Sequence, residues 1–188
     1  PQLLIEEADE ALGRIVSIID YEYSVNRKFH VRFVDLPVKH TFKDLNVKPP
    51  GELICLSGIV TRCTPVLRLL EEAAFKCADP DCGHVMRVRQ EGPGLKKPDI
   101  CEQCGSKKLE LVEGLSKFVN WQVIRVQEKP EDLSPGAMPR YVDCVLLDDI
   151  VDEAKPGDRV TIVGILELMR ETGRRFKGRG TLYTSYLK

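Results

Sequence analysis

The chain has 188 residues, of which 43% are hydrophobic and 30% are charged, and its formal net charge is −1. This length and composition allow one medium domain or two to three small modules with cores of their own. No apolar run approaches the roughly 20 residues that a membrane helix requires, and the acidic, amphipathic start differs from a secretory signal. We therefore expect a soluble, intracellular protein that works in a reducing compartment, without a membrane partner.

The first predicted element is an amphipathic helix with acidic residues opposite an apolar stripe. Apolar residues recur at helical spacing at Leu4, Ala8, Ala11, Leu12, Ile15, Val16 and Ile19. One helix cannot bury such a stripe alone, so it packs on later residues or belongs to a larger bundle. Residues 29–34 alternate as a strand, and Lys48-Pro-Pro-Gly51 breaks the chain. Residues 1–50 are predicted to form a helical, incomplete subdomain.

From Leu53 onward the pattern predicts strands. Alternating or apolar runs cover residues 53–60, 66–75, 118–127, 141–147 and 158–168. Gly58 inside the first run marks a bend or bulge. Five or so curved strands favour a small OB-like barrel, formed by residues 51–75 and 113–188.

Two cysteine pairs interrupt this series of strands. Cys77 and Cys82 form a C-x4-C pair, Cys101 and Cys104 form a C-x2-C pair, and 18 residues separate the pairs. This spacing is typical of a zinc ribbon with a closed, structural Zn²⁺ site, here inserted at residues 76–112. Residues 84–89 and 109–112 would be the two arms of its own hairpin. A disulfide pair, chance clustering or a redox C-x-x-C are the weaker alternatives.

Other residues near the cysteines have simpler interpretations. His84 is a spare ligand that could replace one thiolate in a Cys3His site. Cys55, Cys63 and Cys144 lie in apolar, strand-like stretches and are interpreted as small core residues. Glycines follow Cys82 and Cys104, and they would let the backbone bend so that amides face the thiolates.

The last predicted element is a basic β-hairpin near residues 166–184. Apolar strands flank Glu171-Thr-Gly173, and the tip and returning strand carry Arg174, Arg175, Lys177 and Arg179. Clustered cations on a projecting hairpin suit a polyphosphate backbone because each contact releases condensed counterions. The alternative is a solvated hairpin whose charges protect a sheet edge from aggregation.

Taken together, these motifs resemble the amino-terminal region of the minichromosome maintenance (MCM) replicative DNA helicases. The resemblance covers almost the whole chain, and the compact form is more similar to archaeal members. It rests on Phe29-His-Val-Arg-Phe33, Ser57-Gly-Ile-Val-Thr-Arg62, the cysteine pairs, Ser116-Lys-Phe-Val119, Gln127-Glu-Lys-Pro-Glu-Asp-Leu133, Gly136-Ala-Met-Pro-Arg140 and Val151-Asp-Glu-Ala-Lys-Pro-Gly-Asp-Arg-Val160.

The resemblance implies an architecture and a set of functional residues. The fold would be mainly β, with an N-terminal helical part, an OB-fold barrel, the zinc-ribbon insertion and the projecting basic hairpin. The chain would assemble into a homo-hexamer, or a double hexamer, around single- or double-stranded DNA. In an archaeal member the location would be the cytoplasm and nucleoid.

Residue roles follow where the family's motifs match. Arg175 and Lys177 fall at the basic positions of the family's channel hairpin, and Arg174 and Arg179 extend that patch by charge. Arg62 and Arg125 on the OB strands are weaker candidates for DNA contact, because either could instead pair with neighbouring acids. Another set would belong to the loop that communicates with the motor domains: Gln127, Glu128, Pro135, Gly136 and Arg140. The family often has C-x2-C as its first zinc pair, so the C-x4-C here leaves the ligand set, including His84, open.

The sequence contains no G-x-x-x-x-G-K-[ST] motif that could cradle ATP phosphates and Mg²⁺. We therefore expect no catalytic residues in this chain, and expect ATP and Mg²⁺ to act in a C-terminal AAA+ motor domain outside it.

Two other classes of protein are alternatives to this interpretation. A stand-alone OB-fold single-strand binder would need stacking aromatics, but aromatic content is 6%. A zinc-ribbon interaction module in transcription or translation would have no reason to form a six-membered ring.

Overall fold

The structure is a computed structural model of the chain, and it divides into two compact units. It describes residues 1–25, 27–90, 94–170 and 183–188, and it describes no side chains at 169, 170 and 183–185. Unit 1 comprises Pro1–Thr64, Val123–Val145 and Ala154–Lys188, and unit 2 comprises Pro65–Gln122 and Leu146–Glu153. The boundaries predicted for the helical subdomain, the barrel and the insertion stay a prediction.

Unit 1 begins with helix α1 (Gln2–Ile19), followed by the short helix α2 (Tyr21–Ser24). The predicted helix is confirmed, but none of the residues of α1 is buried. The strand predicted at residues 29–34 was wrong. The Val31 amide donates a hydrogen bond to Asp9 Oδ1 at 2.6 Å, and Asp9 Oδ2 lies 3.3 Å from His30 Nδ1. The Asp9 carboxylate of α1 therefore accepts the hydrogen bond that the Val31 amide would donate to a neighbouring strand in a sheet.

From residue 53 onward, the first seven strands lie close to where the sequence predicts them. In the described part of the chain they are β1 (Leu53–Cys63), β2 (Leu67–Cys77), β3 (Val85–Arg89), β4 (Leu109–Leu111), β5 (Lys117–Gln127), β6 (Tyr141–Leu147), β7 (Arg159–Arg170) and β8 (Tyr183–Leu187). The protein is therefore mainly β with an N-terminal helix. No helix within the described ranges is both long and apolar enough to cross a membrane.

The strand pairing within unit 1 is cyclic. Strand β1 pairs antiparallel with β7 along Leu53–Ile59, and beyond Ile59 it pairs antiparallel with the end of β5. Strand β8 pairs antiparallel with β7 and parallel with β6, and β6 neighbours β5. The apolar faces of these strands are buried, notably Ile54, Leu56, Val60, Ile124, Val126, Val142, Leu166 and Leu187. Because β7, β8, β6 and β5 follow one another as neighbours, polar side chains on adjacent strands of this series lie close enough to pair.

Unit 2 is organised around β2. The first part of β2 pairs with the beginning of β5, and its last residues pair with both β3 and β4. Phe75 is opposite both Met86 and Leu111, so β3 and β4 flank β2. The prediction that residues 84–89 and 109–112 pair with each other as two arms of one hairpin was therefore wrong. A buried cluster of Ala73, Phe75, Cys77, Met86, Cys101 and Leu109 fills this end of the unit.

Candidate metal centre and nucleic-acid interface

Four thiols meet at one end of unit 2. Their Sγ atoms all lie within 4.8 Å of one another. Cys77 Sγ is 3.5 Å from Cys104 Sγ, and Cys82 Sγ is 3.8 Å from Cys101 Sγ. A tetrahedral Zn²⁺ with Zn–S bonds of about 2.3 Å places its sulfur ligands about 3.8 Å apart. The four cysteines therefore fit a tetrahedral thiolate site, and they could hold a metal ion.

Two turns bring the thiols together. Cys77 is the last residue of β2, and Cys82 lies in the turn that leads into β3. Cys101 and Cys104 lie in a second turn, closed by a 2.8 Å hydrogen bond from the Gly105 amide to the Cys101 carbonyl. Gly105 has φ = 72°, a left-handed conformation that glycine adopts without steric cost. The backbone bend predicted after Cys104 is confirmed.

Backbone amides face all four sulfur atoms. The amides of Asp79, His84 and Ser106 hydrogen-bond to the thiols of Cys77, Cys82 and Cys104, respectively. Cys101 receives two such bonds, from the amides of Cys104 and Gln103, and they lower the pKa of its thiol to about 7. Donors of this kind favour the thiolate, which is the form that binds a metal. At Cys77, Cys82 and Cys104 they are outweighed by desolvation and the neighbouring thiols, so the pKa of these three thiols is raised.

The four thiols differ in their exposure to solvent. Cys77 and Cys101 are 2% and 1% exposed, Cys82 is half-buried, and Cys104 is exposed. The imidazole of His84 does not belong to the group of atoms that lie within 4.8 Å of one another, which consists of the four sulfurs. The donor set of the cluster is therefore four thiolates, which is a set suited to a closed structural site.

In unit 1, Arg125 on β5 is held by two side chains of β6. Its Nε and Nη2 atoms donate to Asp143 Oδ1 and Oδ2 at 2.7 and 2.8 Å. The guanidinium carbon also lies 4.2 Å from the centroid of the Tyr141 ring. The bidentate bond raises the pKa of Arg125. Of the two alternatives for this residue, the structure shows the one in which it pairs with a neighbouring acid.

Of the other basic residues predicted to contact DNA, the structure describes only Arg62. Arg62 on β1 is exposed and lies opposite Arg125 in the β1–β5 register. Arg174, Arg175, Lys177 and Arg179 lie outside the described residues. The strands on either side of that segment pair antiparallel, from Leu166 opposite Leu187 to Arg170 opposite Tyr183.

The predicted communication loop connects β5 and β6. Its base is closed by the Glu128 amide, which donates to the Arg140 carbonyl at 2.9 Å, and Gln127 is opposite Ile59 of β1. Residues 134–140 are exposed, including Pro135, and Gly136 has φ = 81°. Arg159 of β7 donates to Glu131 of the loop at 2.7 and 3.3 Å. Ordered turns and an ion pair thus hold an otherwise exposed loop.

Sequence reasoning missed Asp143 and Tyr141 as the residues that position Arg125. The loop base contained the necessary signal. In an antiparallel hairpin, equal steps outward from a facing pair lead to another facing pair. Three steps outward from Glu128 and Arg140 lead to Arg125 and Asp143, so once this facing pair is known the alternation places the acid beside the base.

Comparison with known proteins identifies the family. Residues 41–170 match the family model described as the MCM OB domain. The chain is 33% identical over 165 residues to the minichromosome maintenance protein MCM of Saccharolobus solfataricus, covering 86% of this chain and 24% of the relative. It is 34% identical over 140 residues to the DNA replication licensing factor mcm4 of Schizosaccharomyces pombe, covering 73% and 15%.

A vertebrate relative gives the same result. The chain is 31% identical over 168 residues to the DNA replication licensing factor mcm2 of Xenopus laevis, covering 88% of this chain and 19% of the relative. The chain thus spans less than a quarter of the length of these relatives.

Proposed function

The chain belongs to the minichromosome maintenance family, and we propose that it is the DNA-binding, ring-forming N-terminal part of an ATP-dependent replicative DNA helicase. One observation carries the proposal: the family match spans residues 41–170 and includes β1, the four-cysteine cluster and all of β7. A relative matched over 86% of this chain is named a minichromosome maintenance protein. The work of this part would be to encircle DNA inside the cell as a homo-hexamer or double hexamer.

We propose that the four-cysteine cluster of Cys77, Cys82, Cys101 and Cys104 holds a structural Zn²⁺. The sulfur spacing of 3.5 and 3.8 Å supports this ion, and four thiolates leave no open position for an activated water. When bound, zinc would tie the end of β2 to the turn before β4. Zinc would therefore order unit 2, and we propose that unit 2 in turn helps subunits or rings to meet.

DNA contact is assigned to the basic segment between β7 and β8. The antiparallel pairing of these strands supports the predicted hairpin, whose Arg175 and Lys177, extended by Arg174 and Arg179, would face the DNA channel. Six copies in one ring would convert a weak basic patch into a multivalent site. Exposed Arg62 is a secondary candidate, whereas Arg125 is engaged by Asp143 and would have to leave it to bind a phosphate.

ATP and Mg²⁺ would act in an AAA+ motor domain that this sequence does not contain. The loop between β5 and β6 is proposed to communicate with that domain through Gln127, Glu128, Pro135, Gly136 and Arg140. Its closed base and exposed tip support this role, because a firm base can transmit a contact made at the tip.

DNA affinity measured against salt concentration tests the proposal. The wild type and an Arg175→Ala/Lys177→Ala variant are compared, with native mass measured in the same buffers. A Lys96→Ala/Lys97→Ala variant is the matched control, since it removes the same charge from exposed residues of unit 2.

Three outcomes are distinguishable. We expect weaker binding and a shallower salt slope only in the Arg175/Lys177 variant, with its hexamer retained. Equal effects in both variants would mean that net charge rather than the hairpin binds DNA. A stable monomer that binds DNA would instead support a stand-alone OB-fold protein.

A further inference from the structure

The four thiols of the metal cluster are unequally accessible. Cys104 is exposed, whereas Cys77 and Cys101 lie in the apolar cluster beneath the turns at 2% and 1% exposure. Oxidants react with thiolates that they can reach. Cys104 is therefore the member that a small soluble oxidant meets first.

The geometry also selects a partner for an oxidised Cys104. Cys77 Sγ, on the other turn, lies 3.5 Å from Cys104 Sγ. The remaining pair, Cys82 and Cys101, lie 3.8 Å apart and are farther from solvent than Cys104. Sulfur atoms in a disulfide are about 2.0 Å apart, so a shift of about 1.5 Å joins Cys104 to Cys77.

We propose that Cys104 is a peroxide-sensitive modification site whose oxidation closes a Cys77–Cys104 disulfide and releases the metal. This inference rests on the metal site proposed above. The Cys104 thiolate attacks a peroxide oxygen, the O–O bond breaks, and a sulfenic acid and hydroxide form. The Cys77 thiolate then attacks the Cys104 sulfur and expels a second hydroxide. Two thiolates lose two electrons in total, and the peroxide gains them.

The predicted disulfide has a structural consequence that a Cys101–Cys104 bond lacks. Cys77 ends β2 and is opposite Leu109 of β4, while Cys104 lies in the turn that precedes β4. A Cys77–Cys104 bond would keep this turn attached to β2 after the metal has left. A Cys101–Cys104 bond would close within one turn and would hold nothing else. The cluster would thus be preserved for reloading after reduction by a thiol.

The experiment treats the zinc-loaded chain with increasing hydrogen peroxide, then alkylates the remaining thiols. Released zinc is measured with a chromogenic chelator, and the first disulfide is mapped by mass spectrometry. Trypsin leaves Cys77 with Cys82 and Cys101 with Cys104, so two more proteases are needed. Cleavage before Asp79 and Asp81 separates the first pair, and cleavage after Glu102 separates the second.

Controls come from the other cysteines. Cys55 and Cys144 are 2% and 1% exposed, so they should stay unmodified at peroxide levels that oxidise the cluster. Cys63 is half-buried, and a Cys63→Ser variant should lose zinc at the same peroxide concentration as the wild type.

We expect one zinc released per disulfide, a first-formed Cys77–Cys104 link, and recovery of most of the bound zinc after reduction and reloading, because a disulfide is reversible. A first-formed Cys101–Cys104 or Cys82–Cys101 link would overturn the proposal. Sulfinic acid at Cys104 without a disulfide would overturn it as well. A chain that never binds zinc would refute the metal site, and the disulfide map of that metal-free chain would still show whether Cys104 pairs with Cys77.

Discussion

Replacing Gly58 by alanine should destabilise unit 1 by a measurable amount. A Cβ at this buried position of β1 would lie 2.5 Å from Val126 Cγ1 and 2.6 Å from the Gln127 carbonyl oxygen. Carbon atoms in contact are normally about 3.5–4.0 Å apart, so the overlap is about 1 Å. One of the two clashing atoms belongs to the backbone of β5, which cannot rotate away as a side chain can.

The expected cost of Gly58→Ala follows from this overlap. Overpacking typically costs about 1–3 kcal/mol, and a backbone clash places Gly58→Ala near the upper end, at about 3 kcal/mol. Alanine returns about 0.4–1 kcal/mol by restricting the unfolded chain. The net loss is therefore about 2–3 kcal/mol, or about 4–12 °C in Tm for a chain of this size.

Urea and thermal unfolding followed by far-ultraviolet circular dichroism measure this loss. Gly114→Ala is the matched control, because Gly114 is exposed and a Cβ there has no neighbour within 4 Å. The control should change stability by less than about 0.5 kcal/mol. A loss below about 1 kcal/mol for Gly58→Ala would mean that β1 and β5 separate easily, and the argument from close approach would be refuted.

Three further predictions concern the site and its surroundings. Asp143→Asn should free the Arg125 guanidinium and raise DNA affinity about five-fold at low salt, roughly the 1 kcal/mol of one exposed ion pair; an equal rise in an Arg125→Ala background would contradict this. Removing zinc with a chelator should lower the unfolding temperature of unit 2 by more than about 10 °C, read from fluorescence of Trp121, the sole tryptophan; an unchanged transition would exclude a structural metal. Burial raises the pKa of Tyr186 from 10.0 to about 12, and the hydrogen bond to Glu167 adds to the shift. This group therefore stabilises the fold below about pH 10, and that stability is lost as the pH rises toward 12. Tyr186→Phe should flatten the pH dependence of unfolding in that window, and an unchanged profile would refute the assignment.

The positions of strands and thiols could be predicted from the sequence because local patterns determine them. Alternation of apolar residues placed Tyr141–Leu147 on the observed bounds of β6. The spacing of the cysteine pairs predicted that four thiols would meet, and the sulfur distances confirm it. The alternation and the cysteine spacing both lie within short segments, so they can be recognised without knowledge of the tertiary structure.

Strand partners could not be predicted because they depend on residues that are distant in the sequence. Strands β3 and β4 both pair with β2, although their order along the chain suggested a hairpin between them. Residues 29–34 alternate like a strand, but Asp9 of α1 takes the amide of Val31. In both cases the competing partner is set by packing rather than by local propensity.

Partners that are distant in the sequence also decide which basic residues on the strands remain available for a DNA phosphate. From the sequence, Arg62 and Arg125 were equally weak candidates for DNA contact. Both lie on strands of the same unit and face each other in register. The structure separates them, because Asp143 and Tyr141 occupy Arg125 while Arg62 is exposed. A phosphate that binds Arg125 must displace a bidentate carboxylate, whereas Arg62 is exposed and forms no ion pair with another described residue. Of these two strand residues, only Arg62 is therefore open to a phosphate, and under the proposed function we expect the strong DNA binding to come from residues 171–182 acting in several copies.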